Sequence, residues 1–352
     1  MYRIFTLIVS AMLALSLTAQ QFLELPQVKL SRWDIGTAQF SGITPLGNGR
    51  YAVVSDKEPT DGFFLFRIDQ NATTGEVESV YLEDFFGNPS PVLDDRGNSV
   101  RDTEGVAYCS ASNTIYISGE GDQRILEYSL QGLPTGRELN VPPIFSSSKI
   151  VSNYGFEALT YCPQQHLFWT VTESTLKADG PAAGFGNSGV ANVLRLQAFG
   201  ENLQPVAQYA YRMESGRQNK LGKYYCMGVP ALTALPDGRL LVLERELNVS
   251  KAYLNSEVIC KIFLVDPATS WQIDSSIDMK TLDHKYFVVK QQVASFKTQL
   301  NPVKNSFANY EGMCLGRELL DGRQTLLLIN DSQAGSGWGP YRIHDFIKVL
   351  VF

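Results

Sequence analysis

Residues 102–122 read DTEGVAYCSASNTIYISGEGD. An acidic residue precedes a short apolar strand, Val106 to Tyr108. A polar turn follows from Ser110 to Asn113, and a second strand, Ile115 to Ser118, runs up to another acid, Glu120. Two strands joined by a tight turn run antiparallel, so the residue opening the first lies beside the residue closing the second. The pattern predicts a hairpin with Glu104 and Glu120 as neighbours at its open end.

The same layout recurs along the chain. FEALTYCPQQHLFWTVTES (156–174) has Glu157 at the opening and Glu173 at the close, and YEGMCLGRELLDGRQTLLLINDS (310–332) has Glu311 and Asp331. VPALTALPDGRLLVLERE (229–246) keeps a closing Glu244 but opens on Pro230, while FSGITPLGNGRYAVVSD (40–56) opens on Ser41 and closes on Asp56. The copies begin roughly 50–80 residues apart, so units that share a core with their neighbours make one domain over residues 21–352. After each hairpin come further alternating runs such as FFLFRID (63–69), RILEYSL (124–130), NVLRLQAF (192–199) and EVICKIFLVD (257–266). Four strands per unit are propeller blades. The fifth copy supplies only three before the chain ends, and FLELPQVKLSRWDI (22–35) is a spare strand at the other end. The expected fold is all-β: a single β-propeller of four-stranded blades, five by the repeats, with a sixth, degenerate blade in 246–310 as the alternative. Closure of the last blade by the N-terminal strand would remove an open sheet edge.

Inner strands of a propeller all run the same way, so the opening and closing residues gather at one rim. That rim would hold Asp56, Asp102, Glu104, Glu120, Glu157, Glu173, Glu244, Glu311 and Asp331, with Asn309 beside them. Carboxylates this close raise one another's pKa unless a cation relieves them. Relief could come from Lys57, Arg101, Arg124 and Arg245, or from a hard divalent ion such as Ca²⁺ or Mg²⁺. A plainer reading has the acids cap loop N–H groups or pair with an arginine of the next blade and lock the blades together.

Other chemistry is tested by absence. There is no G-x-S-x-G nucleophile elbow, and His166, His284 and His344 stand in no metal spacing. The glycine-rich run GSGWG (335–339) opens no helical pattern and reads as a rim loop. A net charge of −6 argues against nucleic acid and acidic membranes as partners. Residues 1–20 have the layout of a secretory signal peptide, with an uncleaved anchor as the other reading; the mature chain is expected to be exported, periplasmic or secreted, and off the membrane. Five cysteines (Cys109, Cys162, Cys226, Cys260, Cys314) leave one unpaired within a monomer. Cys109 and Cys162 fill the same repeat position and could bridge or be buried as small apolar residues. No C-x-x-C is present, and the cysteine spacings argue against zinc.

The strings DTEGVAY, GFEALTY, GRLLVLERE, NYEGMCL and LLLINDS, in this order and at these intervals, resemble the phytase-like propeller domain, also described as "esterase-like activity of phytase". The resemblance runs from about residue 35 to about residue 350 and departs at Pro230 and at Ala158, where the family usually has glycine. It implies an exported propeller that hydrolyses a small phosphate ester or other ester; the chain is expected to be a monomer. By analogy with calcium-dependent propeller phytases, it also implies a divalent metal, Ca²⁺ or Mg²⁺, held by Glu104, Glu157, Glu311, Asp331, Asp56 and Asp102. Glu120, Glu173 and Glu244 would be ligands or general base, and Arg101, Arg124 and Arg245 would neutralise the phosphate. The alternatives are a binding or scaffold propeller that uses its rim loops, and a carboxylesterase or lactonase.

Overall fold

The computed structural model describes residues 22–352 except 57, 59, 98, 218–221, 302 and 304. The signal-peptide reading of residues 1–20 and the rim role of Lys57 lie outside the described residues.

Five antiparallel sheets form five blades. Their inner strands are Phe40–Gly47, Thr103–Cys109, Phe156–Cys162, Tyr224–Ala234 and Asn309–Glu318. Each inner strand packs on the next, and the fifth returns to the first, which closes the ring. Blades face one another on both sides, so the middle strands read as nearly unbroken apolar runs rather than as alternating ones. Val171, Leu194, Leu196, Val229, Leu232, Leu240 and Val242 share one such core between the third and fourth blades. Each of these side chains contributes about 1.5–3 kcal/mol on burial.

The last blade is built from both ends of the chain. Leu23–Glu24 and Val28–Lys29 pair antiparallel with Phe346–Val351, in register Leu23 with Val351 and Val28 with Ile347. Phe22 stacks on Phe352 at 4.3 Å, and Lys348 reaches Glu24 at 2.7 Å. The interval that could have hidden a sixth blade instead supplies the outer strands of the fourth, Glu257–Val265 and Lys290–Gln299. Between them, Gln272–Ile273 extends the outer edge of the third blade. Helix among the described residues is limited to short 3₁₀ turns. All five cysteines are buried and free, so Cys109 and Cys162 serve as apolar core residues and form no bridge.

The inner strands approach at backbone distance. A Cβ on Gly42 would stand 2.4 Å from the Glu104 carbonyl oxygen, and one on Gly105 would stand 2.4 Å from that of Glu157. These two glycines let the channel close to a width that brings opening residues of successive blades together.

Candidate functional site

Every inner strand carries a β-bulge at its rim end. The register breaks between Phe40 and Gly42, Thr103 and Val106, Phe156 and Ala158, Gly228 and Ala231, and Tyr310 and Gly312. Within these breaks stand Ser41, Glu104, Glu157, Pro230 and Glu311, the five opening residues. A bulge frees one residue from the ladder and re-aims its side chain. Proline, which has no N–H for the ladder, is tolerated at such a place. Pro230 therefore keeps the backbone geometry of the repeat while dropping its carboxylate. Ser41, Glu157, Pro230 and Glu311 line the constricted channel together.

The closing residues follow from the strand register. Gly42 faces Val54, Ala158 faces Val171, Ala231 faces Leu243 and Gly312 faces Ile329. Two residues beyond these partners stand Asp56, Glu173, Arg245 and Asp331. The fourth blade thus closes on Arg245, and the expectation for Glu244 is corrected by one residue. A shift of one along a strand reverses the face. Glu244 accepts hydrogen bonds from the Tyr211 hydroxyl (2.7 Å), the Lys290 ammonium (2.5 Å) and the Glu214 N–H (3.0 Å). Two residues on, Glu246 accepts from the Arg217 N–H at 2.9 Å, and after two more Asn248 accepts from the Gly222 N–H at 2.9 Å. These alternate side chains pin the segment that enters the fourth blade.

Arg245 is 4% exposed. It makes ion pairs with Glu173 of the third blade and, at 2.5 Å, with Glu311 of the fifth, and it donates to Asn309 Oδ1 at 3.1 Å. Gly228, opposite Arg245 in the ladder, leaves the passage that Glu173 uses, since a Cβ there would meet the Glu173 side chain at 2.4 Å. Arg245 accordingly holds carboxylates from two other blades, in place of the free phosphate-binding role expected of it.

The other two arginines are committed elsewhere. Arg101 donates to Asp122 (2.6 Å) and to the Ile117 carbonyl (2.8 Å), and its Nε lies 3.7 Å from Asp61. Arg124 pairs with Glu138 at 2.6 Å on the surface, where such pairs contribute little. Glu120 accepts the Gly155 N–H at 2.9 Å, tying the second blade to the third. Its own N–H donates to the Asp102 carbonyl at 2.9 Å, so Asp102 rather than Glu104 lies directly across the hairpin. Asp331 accepts from the Gln333 N–H at 2.6 Å and from the Gln333 side chain.

One group among the described residues has the makings of a metal centre. Side-chain oxygens of Asp56, Asp102 and Glu104 all lie within 4.8 Å of one another. Asp102 takes φ 51°, a left-handed conformation that aspartate adopts more readily than most residues. It lies just ahead of the Glu104 bulge, and Asp56 comes from the preceding blade.

The family model described as "Phytase-like: Esterase-like activity of phytase" matches residues 35–333. The chain belongs to this family. No curated protein matches it. Among solved structures, the phytase-like chain is similar to an endo-arabinase from Bacteroides thetaiotaomicron, with 11% identity, 91% and 95% of the two chains covered and a TM-score of 0.45. It is also similar to the catalytic domain of the Coprinopsis cinerea GH62 α-L-arabinofuranosidase, with 12% identity, 95% and 97% covered and a TM-score of 0.42. A further likeness is to Kuenenia stuttgartiensis hydrazine synthase, with 9% identity, 84% of this chain covered and a TM-score of 0.35; there the match spans 58% of the other chain's length.

In the phytase-like rim the bulge glutamates are electrostatically loaded. Burial, and after it the neighbouring Asp56, Glu311, Glu120 and Asp102, pushes Glu104 well above the usual carboxylate range. Glu157 is raised by burial, Glu173 and Glu104, with Arg245 opposing; Glu311 is raised by burial and Asp331, again against Arg245. The acids therefore converge across the channel. Two tyrosines that no spacing singles out stand beside Cys226, and Tyr154 is within reach of the Glu173 and Arg245 charges. Tyr154 and Tyr224 neighbour each other, and burial raises both phenols. Each merely precedes or begins an inner strand, as many tyrosines do.

Proposed function

We propose that this phytase-like propeller is a divalent-metal-dependent hydrolase of phosphate esters, with the acidic rim as its active site. The observation that carries the reading is the trio Asp56, Asp102 and Glu104, whose oxygens lie within 4.8 Å of one another. An all-carboxylate donor set of this span suits Ca²⁺ or Mg²⁺, and these three residues would hold the ion. When bound, such an ion supplies charge that attracts a phosphate group and lowers the pKa of an attacking water. Arg245 fixes Glu173 and Glu311 and so keeps the far wall in shape. The proposal includes export, on the pattern of residues 1–20.

Calorimetric titration of the mature chain with Ca²⁺ and Mg²⁺ tests it, together with hydrolysis of a chromogenic phosphate monoester. Binding should vanish in the Asp102→Asn, Glu104→Gln double variant, and EDTA should abolish hydrolysis. Full hydrolysis in EDTA would overturn the metal. Turnover of a chromogenic carboxylic ester alone would move the substrate class to that of a carboxylesterase or lactonase.

A second reading, a non-catalytic binding propeller, is favoured by the blade-to-blade contacts that occupy Glu120, Glu173 and Glu311. Under it the same double variant melts earlier, Ca²⁺ has no effect, and neither ester is cleaved.

A further inference from the structure

Of the five closing places, three hold an acid (Asp56, Glu173 and Asp331), and that of the second blade falls on Gly119, with Glu120 one residue beyond. The fifth holds a guanidinium. Around Arg245 converge the oxygens of Glu173, Glu311 and Asn309, supplied by two other blades. They form an oxygen-donor set of the kind a hard cation takes.

Arg195 is a purely structural arginine of the same chain. It is 1% exposed and has every nitrogen satisfied: Nε and Nη2 by Asp179 at 2.7 Å, Nη1 by Gln208 at 2.8 Å, and Nη2 also by the Ile277 carbonyl at 2.7 Å. Arg245 is as deeply buried, yet its Nε has no hydrogen-bond partner, as is also true of Arg101 and Arg212. Its fork answers the carboxylates around it and leaves one donor unmet. What sets Arg245 apart from Arg101 is its partners: carboxylates of two other blades meet on its one guanidinium, whereas Arg101 donates to Asp122 and to a backbone carbonyl.

We propose that Arg245 is a resident cation standing where a second divalent ion would sit, so that the rim accepts one divalent ion, on Asp56, Asp102 and Glu104. This rests on the metal reading above. Removing the guanidinium leaves Glu173, Glu311 and Asn309 as an open oxygen site for another hard divalent cation.

The experiment is a calcium titration, by calorimetry and by equilibrium dialysis, of the mature wild-type chain and of Arg245→Gln and Arg245→Lys. Wild type and Arg245→Lys should bind one ion per chain, and Arg245→Gln two. A folded Arg245→Gln that binds the same number as wild type overturns the inference and leaves the metal reading standing. Wild type that binds none beside an Arg245→Gln that binds one does the reverse: the resident cation is upheld and the Asp56 site fails. Should Arg245→Gln not fold in EDTA, refolding with Ca²⁺ present restores the wild-type circular dichroism if the inference holds, and no restoration at any Ca²⁺ concentration overturns it.

Discussion

Asp345 is 4% exposed, where the N-terminal segment crosses the fifth blade. Its Oδ2 accepts the Ala38 N–H at 3.2 Å. Burial nonetheless pushes its pKa up to about 7, against the pull of Ser332 and Ala38 and with a push from Asp331. A carboxyl whose folded pKa lies above its unfolded one binds more protons in the folded state between the two values. Stability therefore falls as pH rises from about 4 to about 7, and the loss is complete above that window, at most roughly 4 kcal/mol. Urea midpoints of wild type should fall across this range, and Asp345→Asn, which has no proton to lose, should reduce the slope. An unchanged slope would assign the titration to other groups. Burial at a seam between distant segments leaves no mark in the local sequence, and nothing in RIHDFI distinguishes this aspartate from a surface one.

Strands and bulges account for both what was legible and what was not. The hairpins, the blade count and the closing strand could be read because turn residues and apolar runs recur, and recurrence survives small errors of register. The closing place of the fourth blade could not be read. LERE offers two glutamates around an arginine, and the bulge between Gly228 and Ala231 adds an uncounted residue to the partner strand. Only the ladder shows that Arg245 and not Glu244 faces the rim. Likewise, the targets of Arg101 and Arg124 depend on side-chain direction, which spacing does not give. The register makes a prediction of its own. Glu244→Gln should leave calcium binding unaltered while weakening the anchorage of the segment around Glu214. The variant leaves Lys290 without its carboxylate partner, so a loss of about 3 kcal/mol is expected. Limited proteolysis should cut that segment faster than in wild type. Lost calcium binding with unchanged proteolysis would return Glu244 to the rim.

On the scale of the whole ring, two seams are held by different means. Between the fifth blade and the first, a short N-terminal clasp of four paired residues completes the sheet. Between the first blade and the second stand Asp56 on one side and Asp102 and Glu104 on the other. An ion there would bridge those two blades, as the strand bridges the two ends of the chain. A ligand at 100 times its dissociation constant stabilises by about 2.7 kcal/mol. Deleting residues 22–29 exposes the edge of Phe346–Val351, which lowers stability and invites edge-to-edge association visible in size exclusion. Because the seams share no residue, the two effects should add, so calcium should raise the urea midpoint of the truncated chain by the same free energy as that of the full one. A calcium increment that disappears on truncation would mean that the acidic rim takes shape only when the ring is closed at the far seam. The metal would then depend on the clasp, and the five blades would act as one cooperative unit rather than as neighbours joined in pairs.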